Sequence, residues 1–179
     1  MAGRIEIPFD EFNANPFSLF DHQWFLLTAG DFASGKFNTM TVSWGYIGVM
    51  WGFPSAVTAV RPQRYTIDFI RNCDSFTLSA FGEEYRAALQ LCGSKSGRDL
   101  DKIAAAGLTP EAAGSVGAPT FKEAELVLEC RKVYHGKFLP EGFLDGAIPA
   151  KVYPTGDFHE IFAGEITRIA GVPRFRRGV

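Results

Sequence analysis

Three short stretches carry residue types that could do chemistry together. Arg61-Pro-Gln-Arg64-Tyr-Thr66 sets two guanidinium groups and a hydroxyl where a strand pattern, Ala56-Val-Thr-Ala-Val60, stops and a helical pattern, 63–72, begins. Helix starts have unpaired amides at the positive end of the dipole and gather anions. Such a point suits a phosphate monoester; an ordinary solvated turn is the plain alternative. Ser94-Lys95-Ser96-Gly97-Arg98-Asp99-Leu-Asp-Lys102 is the second stretch. Ser96 and Asp99 have capping-box spacing, and Lys95, Arg98 and Lys102 bring three cations to one helix start. Taken alone it also reads as a well-capped, solvated helix. The third stretch is Asn38-Thr39-Met40-Thr41-Val42-Ser43-Trp44-Gly45. Thr39, Thr41 and Ser43 share one face of a strand, and Met40, Val42 and Trp44 the other. A half-exposed strand ordinarily turns long charged residues outward, and this one has none. Its polar face is therefore expected to lie against something flat and polar. Jointly, the three stretches point to a ligand with a dianionic tail and a planar polar head.

Other chemistries find little support. Gly30-Asp-Phe-Ala-Ser-Gly35-Lys36 has P-loop spacing, but Phe37 stands where Ser or Thr should hold Mg²⁺, and strand pattern follows instead of helix. No GxSxG elbow is present. His22, His135 and His159 lack metal-ligand spacing, no His/Cys cluster exists, and no metal is expected. No acidic pair stands out as a glycosidase pair. Cys73, Cys92 and Cys130 form no CxxC and read as small buried hydrophobes with reduced thiols, which suggests a cytoplasmic setting. A net charge of -2 gives no basic face for nucleic acid. No run reaches the roughly 18 apolar residues of a membrane span, and no secretory signal is legible.

Elements to position these residues follow from period and punctuation. Strands are expected at 4–7, 24–28, 38–51, 56–60, 75–81, 125–134 and 158–169, the last with Gly164 as a bulge. Ser34-Gly35 should turn the second strand back antiparallel into the third. Helices are expected at 63–72, 83–92 and 99–106, the last closed by Gly107. Residues 107–119 read as a long connection, and 136–156 as irregular with a helical turn near 145–148. About seven strands with three short helices, without a composition break over 1–179, fit one mainly antiparallel β-barrel.

Asn38–Trp44, Arg61–Thr66, Cys92–Lys102, Glu129-Cys-Arg131, and His159 ahead of Gly164-Glu-Ile together resemble the flavin reductase-like, FMN-binding split-barrel family, in its flavoredoxin-like branch. The likeness spans roughly residues 20–170, in order. It implies a mainly β fold, a split β-barrel with Greek-key connections, and a homodimer with FMN near the interface. By motif, Asn38, Thr39, Met40, Thr41, Val42 and Ser43 would line the isoalloxazine ring, with Trp44 beside it. Arg61 and Thr66 would face the phosphate or ribityl chain, and Ser96, Gly97 and Lys102 would complete the phosphate cradle. Which of Arg61, Arg64 and Arg98 meets phosphate stays open. His159 resembles the histidine near the nicotinamide, with His135 a rival. The implied activity is NAD(P)H-dependent flavin reduction, with NADH or NADPH as donor and free flavin, an oxygenase or another acceptor downstream. Alternatives are a flavoredoxin-type electron carrier with a protein redox partner, or a plain FMN-binding module.

Overall fold

A computed structural model describes residues 3–178. Its strands are β1 (Ile5–Glu6), β2 (Phe25–Asp31), β3 (Lys36–Val42), β4 (Gly45–Met50), β5 (Phe53–Val60), β6 (Ser75–Ala80), β7 (Pro110–Glu111), β8 (Thr120–Phe121), β9 (Leu126–Lys137) and β10 (Glu160–Gly171). Helices are α1 (Pro16–Ser18), α2 (Thr66–Asn72), α3 (Arg86–Ser94), α4 (Lys102–Ala105) and α5 (Ala147–Val152).

Two hairpins frame the site. β2 and β3 pair from Phe25↔Val42 to Asp31↔Lys36. Their turn closes where the Asp31 carboxylate accepts from the Ser34 amide at 2.8 Å and Gly35 takes a φ of 69°. The P-loop-like spacing is thus spent on a hairpin turn. β4 and β5 are joined through Trp51 and Gly52, with φ of 54° and 82°. Two positive φ values in succession match the twist of antiparallel strands. Glycine takes one freely; Trp51 takes the other at a steric cost, which leaves an indole exposed at the hairpin tip.

The main sheet runs β3-β2-β6-β9-β10-β5-β4, with β1 also on β10, and every pairing is antiparallel. β5 and β6 are consecutive in the chain yet separated by β9 and β10, so the chain crosses between them through α2 in Greek-key fashion. Among the described residues no strand pairs with the outer edge of β3, and there the barrel is split. Ile67 and Ile70 of α2 plug the interior beside Phe25, Phe76 and Phe162. Each such ring or branched chain contributes about 1.5–3 kcal/mol on leaving water. A register shift between Ala163 and Gly164 is the anticipated bulge. Glycine is required there, since a Cβ would stand 2.8 Å from the Cys130 side chain and the Phe76 ring.

α3 and α4 cover the outer face of β2, β6 and β9, where Leu26, Leu89, Cys92 and Val127 form a second core. The connection before β9, which also holds the short β7–β8 pair, is pinned by buried Glu129. Burial would raise that carboxylate's pKa, but the amides of Gly114 and Ser115, the Ser115 hydroxyl and Arg168 outweigh it and leave the pKa lowered.

Candidate active site

The three stretches do meet, though not by the surface the alternation suggested. Thr39 is fully buried: it accepts from Thr28 at 3.0 Å and donates to the Leu27 carbonyl at 3.1 Å. Thr41 donates to the Leu89 carbonyl of α3 at 2.5 Å. The polar partner of that strand face is therefore the protein's own backbone, and Thr39 is withdrawn from any ligand. What β3 offers instead is the edge that no strand of the described residues pairs, reachable around Thr41 and Ser43, since Asn38, Thr39, Met40 and Val42 are buried.

Along that edge lies a groove of ≈ 250 Å³ lined by Met40 to Trp44, Ala59, Arg61, Arg64 and His159. An adjoining recess is lined by Lys36, Asn38, Tyr65, Gly97 and Lys102, among others. Asn38 donates to the Thr66 hydroxyl at 2.8 Å, tying β3 to the start of α2. Gly97 packs on Asn38 so closely that a Cβ would come 2.3 Å from its Oδ1. Arg64 donates to the Gly93 carbonyl at 2.7 Å, which anchors the last turn of α3 to the turn before α2. Burial lowers its pKa from the ordinary value.

Three expected phosphate ligands, Lys102, Ser96 and Arg98, are placed differently. Lys102 is only 3% exposed, and its ammonium donates to the carbonyls of Cys92 at 3.1 Å and Lys95 at 3.3 Å. It is a strut under the loop, and burial brings its pKa down to about 8. The helix expected from Asp99 starts at Lys102, because Asp101, not Ser96, caps it through the Ala104 amide. Ser96 instead accepts from the Arg98 amide in the preceding turn. Arg98 lies outside the groove, stacked on Tyr65 and paired with Asp68 at 3.0 Å.

Arg61 pairs with Asp157, donates to the Val152 carbonyl at 3.0 Å and sits over the Tyr153 ring. Gln63 adds a 2.9 Å bond to Asp157, whose pKa is pushed well below the carboxylate range by Gln63 and Arg61. His159 is buried, 4.9 Å from Trp44 between ring centroids. Burial, with Arg61 nearby, outweighs the opposing pull of Asp157 and brings its pKa down to about 4. The rival His135 is engaged elsewhere, stacked on Phe162 at 4.5 Å and bonded to Glu160 at 2.7 Å. Glu160 is held below its usual pKa by Arg71 and then His135, against burial. Sequence reasoning gave Tyr153 and Asp157 no role; neither belongs to a motif, and only the fold brings them back onto Arg61.

Trp44 also walls a second, apolar groove with Tyr46, Met50, Trp51, Tyr134 and Phe138. A wider cleft, ≈ 750 Å³, shares no residue with either groove. Among the described residues no His/Cys/Asp/Glu group could hold a metal ion, and no helix is long and apolar enough to cross a membrane.

A split antiparallel barrel with an open strand edge, anchored arginines and flanking apolar side chains defines a flavoprotein-like class: one wall can bond a ring's polar edge, and Trp44 and Ala59 add apolar surface beside it. The residues present fit a flavin on the chemistry of that donor set. The flavin reductase like domain family matches residues 17–175, and the chain belongs to that family. An uncharacterized protein of Archaeoglobus fulgidus is 27% identical over 143 residues, 80% of this chain and 70% of that protein. Among solved structures, flavoredoxin of Desulfovibrio vulgaris is 24% identical with a TM-score of 0.65, covering 87% of this chain and 73% of its own. An FMN-binding domain of a flavin reductases-like enzyme from Shewanella baltica is 14% identical with a TM-score of 0.67, covering 96% and 78%. These structures share the split-barrel fold.

Proposed function

We propose that the protein binds FMN in the groove along β3 and works as an NAD(P)H-dependent flavin reductase, hydride passing from nicotinamide to flavin. One observation carries the reading: the free edge of β3, two anchored arginines and a neutral imidazole against Trp44 all face one groove. When bound, the flavin supplies the redox chemistry. The chain's part is positioning and electrostatics. Main-chain groups of β3 and the Ser43 hydroxyl would hold the polar edge of the ring. Arg61 and Arg64 would favour a ligand on which negative charge grows. Asn38, Gly97 and Lys36 shape the recess for the tail, while Lys102 and Arg64 hold the last turn of α3 and the loop that closes the recess. Trp44 offers an aromatic wall for a second planar ring.

Anaerobic stopped-flow mixing of the FMN-loaded protein with NADH and NADPH tests this. Rapid, saturable bleaching of the flavin band is expected; a flavin that neither nucleotide bleaches would end the reductase reading. A second reading, an electron carrier with a protein partner, is favoured by the aromatic face of Tyr46, Trp51 and Tyr134 beside the groove and by the flavoredoxin likeness. Slow bleaching by nucleotides with fast reduction by a redox protein would select it. On the reductase reading, we propose instead that a second copy of the chain covers that face, giving a homodimer.

A further inference from the structure

Tyr153 and His159, six residues apart, lie side by side at the end of the 138–158 excursion. Tyr153 Oη is 2.8 Å from His159 Nδ1, and both residues are buried. The tyrosine is fixed from three directions: Phe143 and Phe158 pack against its ring, and Arg61 stacks over it while gripping the Val152 carbonyl and Asp157 on either side of the turn. Charge decides how the proton in that bond is shared. Burial raises the phenol's pKa, so Tyr153 keeps its proton. The imidazole is neutral near pH 7 and owns a single N–H. A phenol that donates to Nδ1 leaves the ring hydrogen on Nε2. Among the described residues Nε2 has no hydrogen-bond partner, and the ring lines the groove with Trp44, Arg61 and Arg64.

We propose that Tyr153 is a positioning residue that locks His159 in the Nε2–H tautomer, so that the groove is met by a neutral N–H donor suited to a carbonyl-type acceptor on the incoming reductant. The part about the reductant rests on the reductase reading; the tautomer does not. A neutral donor matters because the groove already carries Arg61 and Arg64, and Asp157 opposes them near His159. A third cation there would oppose hydride donation, which leaves a positively charged nicotinamide.

Heteronuclear NMR of the imidazole nitrogens, on the flavin-free wild type and Tyr153→Phe, tests the tautomer directly. Wild-type His159 should carry its hydrogen on Nε2 at neutral pH. In Tyr153→Phe the tautomers should mix, because the bond that fixes the ring hydrogen is gone, while burial and Arg61 still hold the ring's pKa low. A wild-type ring carrying its hydrogen on Nδ1, or a variant with an unchanged tautomer, would overturn the assignment. In the FMN-loaded protein Tyr153→Phe should slow bleaching roughly tenfold at unchanged FMN affinity, the scale of one fixed hydrogen bond. In a His159→Gln background, Tyr153→Phe should have no further effect; an equal second loss would show that Tyr153 acts independently of the histidine. If the wild type does not bleach at all, the reductase reading falls, and the NMR result still decides the tautomer.

Discussion

Lys102 carries a charge that the fold works against. Its ammonium is buried and meets two carbonyls, which a neutral amine with two N–H groups satisfies equally well. With a folded pKa of about 8 against an ordinary 10.5, the unfolded chain binds more protons between those values. Stability should therefore rise as pH climbs through that window, with the burial cost fully present below it. Urea midpoints of wild type and Lys102→Met measured from pH 7 to 11 check this: the wild type should gain on the variant as pH rises, and a constant difference would mean an unperturbed lysine. The sequence could place a cation here; it could not show that the cation faces inward. Capping-box spacing suggested a helix from Asp99, and the real cap at Asp101 turns Lys102 under the loop. His159 was legible only through its family likeness, and its partner Tyr153 was not legible, since six residues of irregular chain give no periodicity to read.

At the scale of elements, most strands were readable because their alternation or bounding turns are strong: β2, β5, β6, β9 and β10 lie close to where period and punctuation put them, whereas the single strand expected over 38–51 is broken at Ser43-Trp44 into β3 and β4. The hydroxyl face of β3 was correctly recognised as unusual and wrongly partnered. Alternation says that a face is covered without saying by what, and here α3 covers it. Thr41→Val should thus cost about 1 kcal/mol of stability by stranding the Leu89 carbonyl, and leave FMN affinity unaltered. Urea denaturation and flavin fluorescence titration would check it; lost affinity at undiminished stability would return that hydroxyl to the ligand. The excursion between β9 and β10 has no sequence period because its order comes from an aromatic cluster, Phe138, Phe143, Tyr153 and Phe158, and from the Arg61–Asp157 pair.

For the whole molecule, the exposed Tyr46, Val49, Trp51 and Tyr134 form an apolar surface that water alone would not favour. With a second copy seated there, Trp51→Glu should shift the protein to monomer by sedimentation velocity and weaken FMN binding, because Trp44 walls both that face and the groove. A monomeric wild type would remove the homodimer. The unpaired margin of β3 has a consequence of another kind. A bare strand border is a template for any passing extended segment, and proteins usually guard such borders with charge or cover. Asn38 to Val42 carries no charge of its own, and among the described residues only Arg61 and Arg64 across the groove stand against its open part, so a snug flavin would serve as its chaperone as well as its chemistry. Stripped of FMN, the protein should form light-scattering, thioflavin-positive assemblies on gentle warming sooner than the yellow form does, and equal lag times for the two would show that this border is harmless.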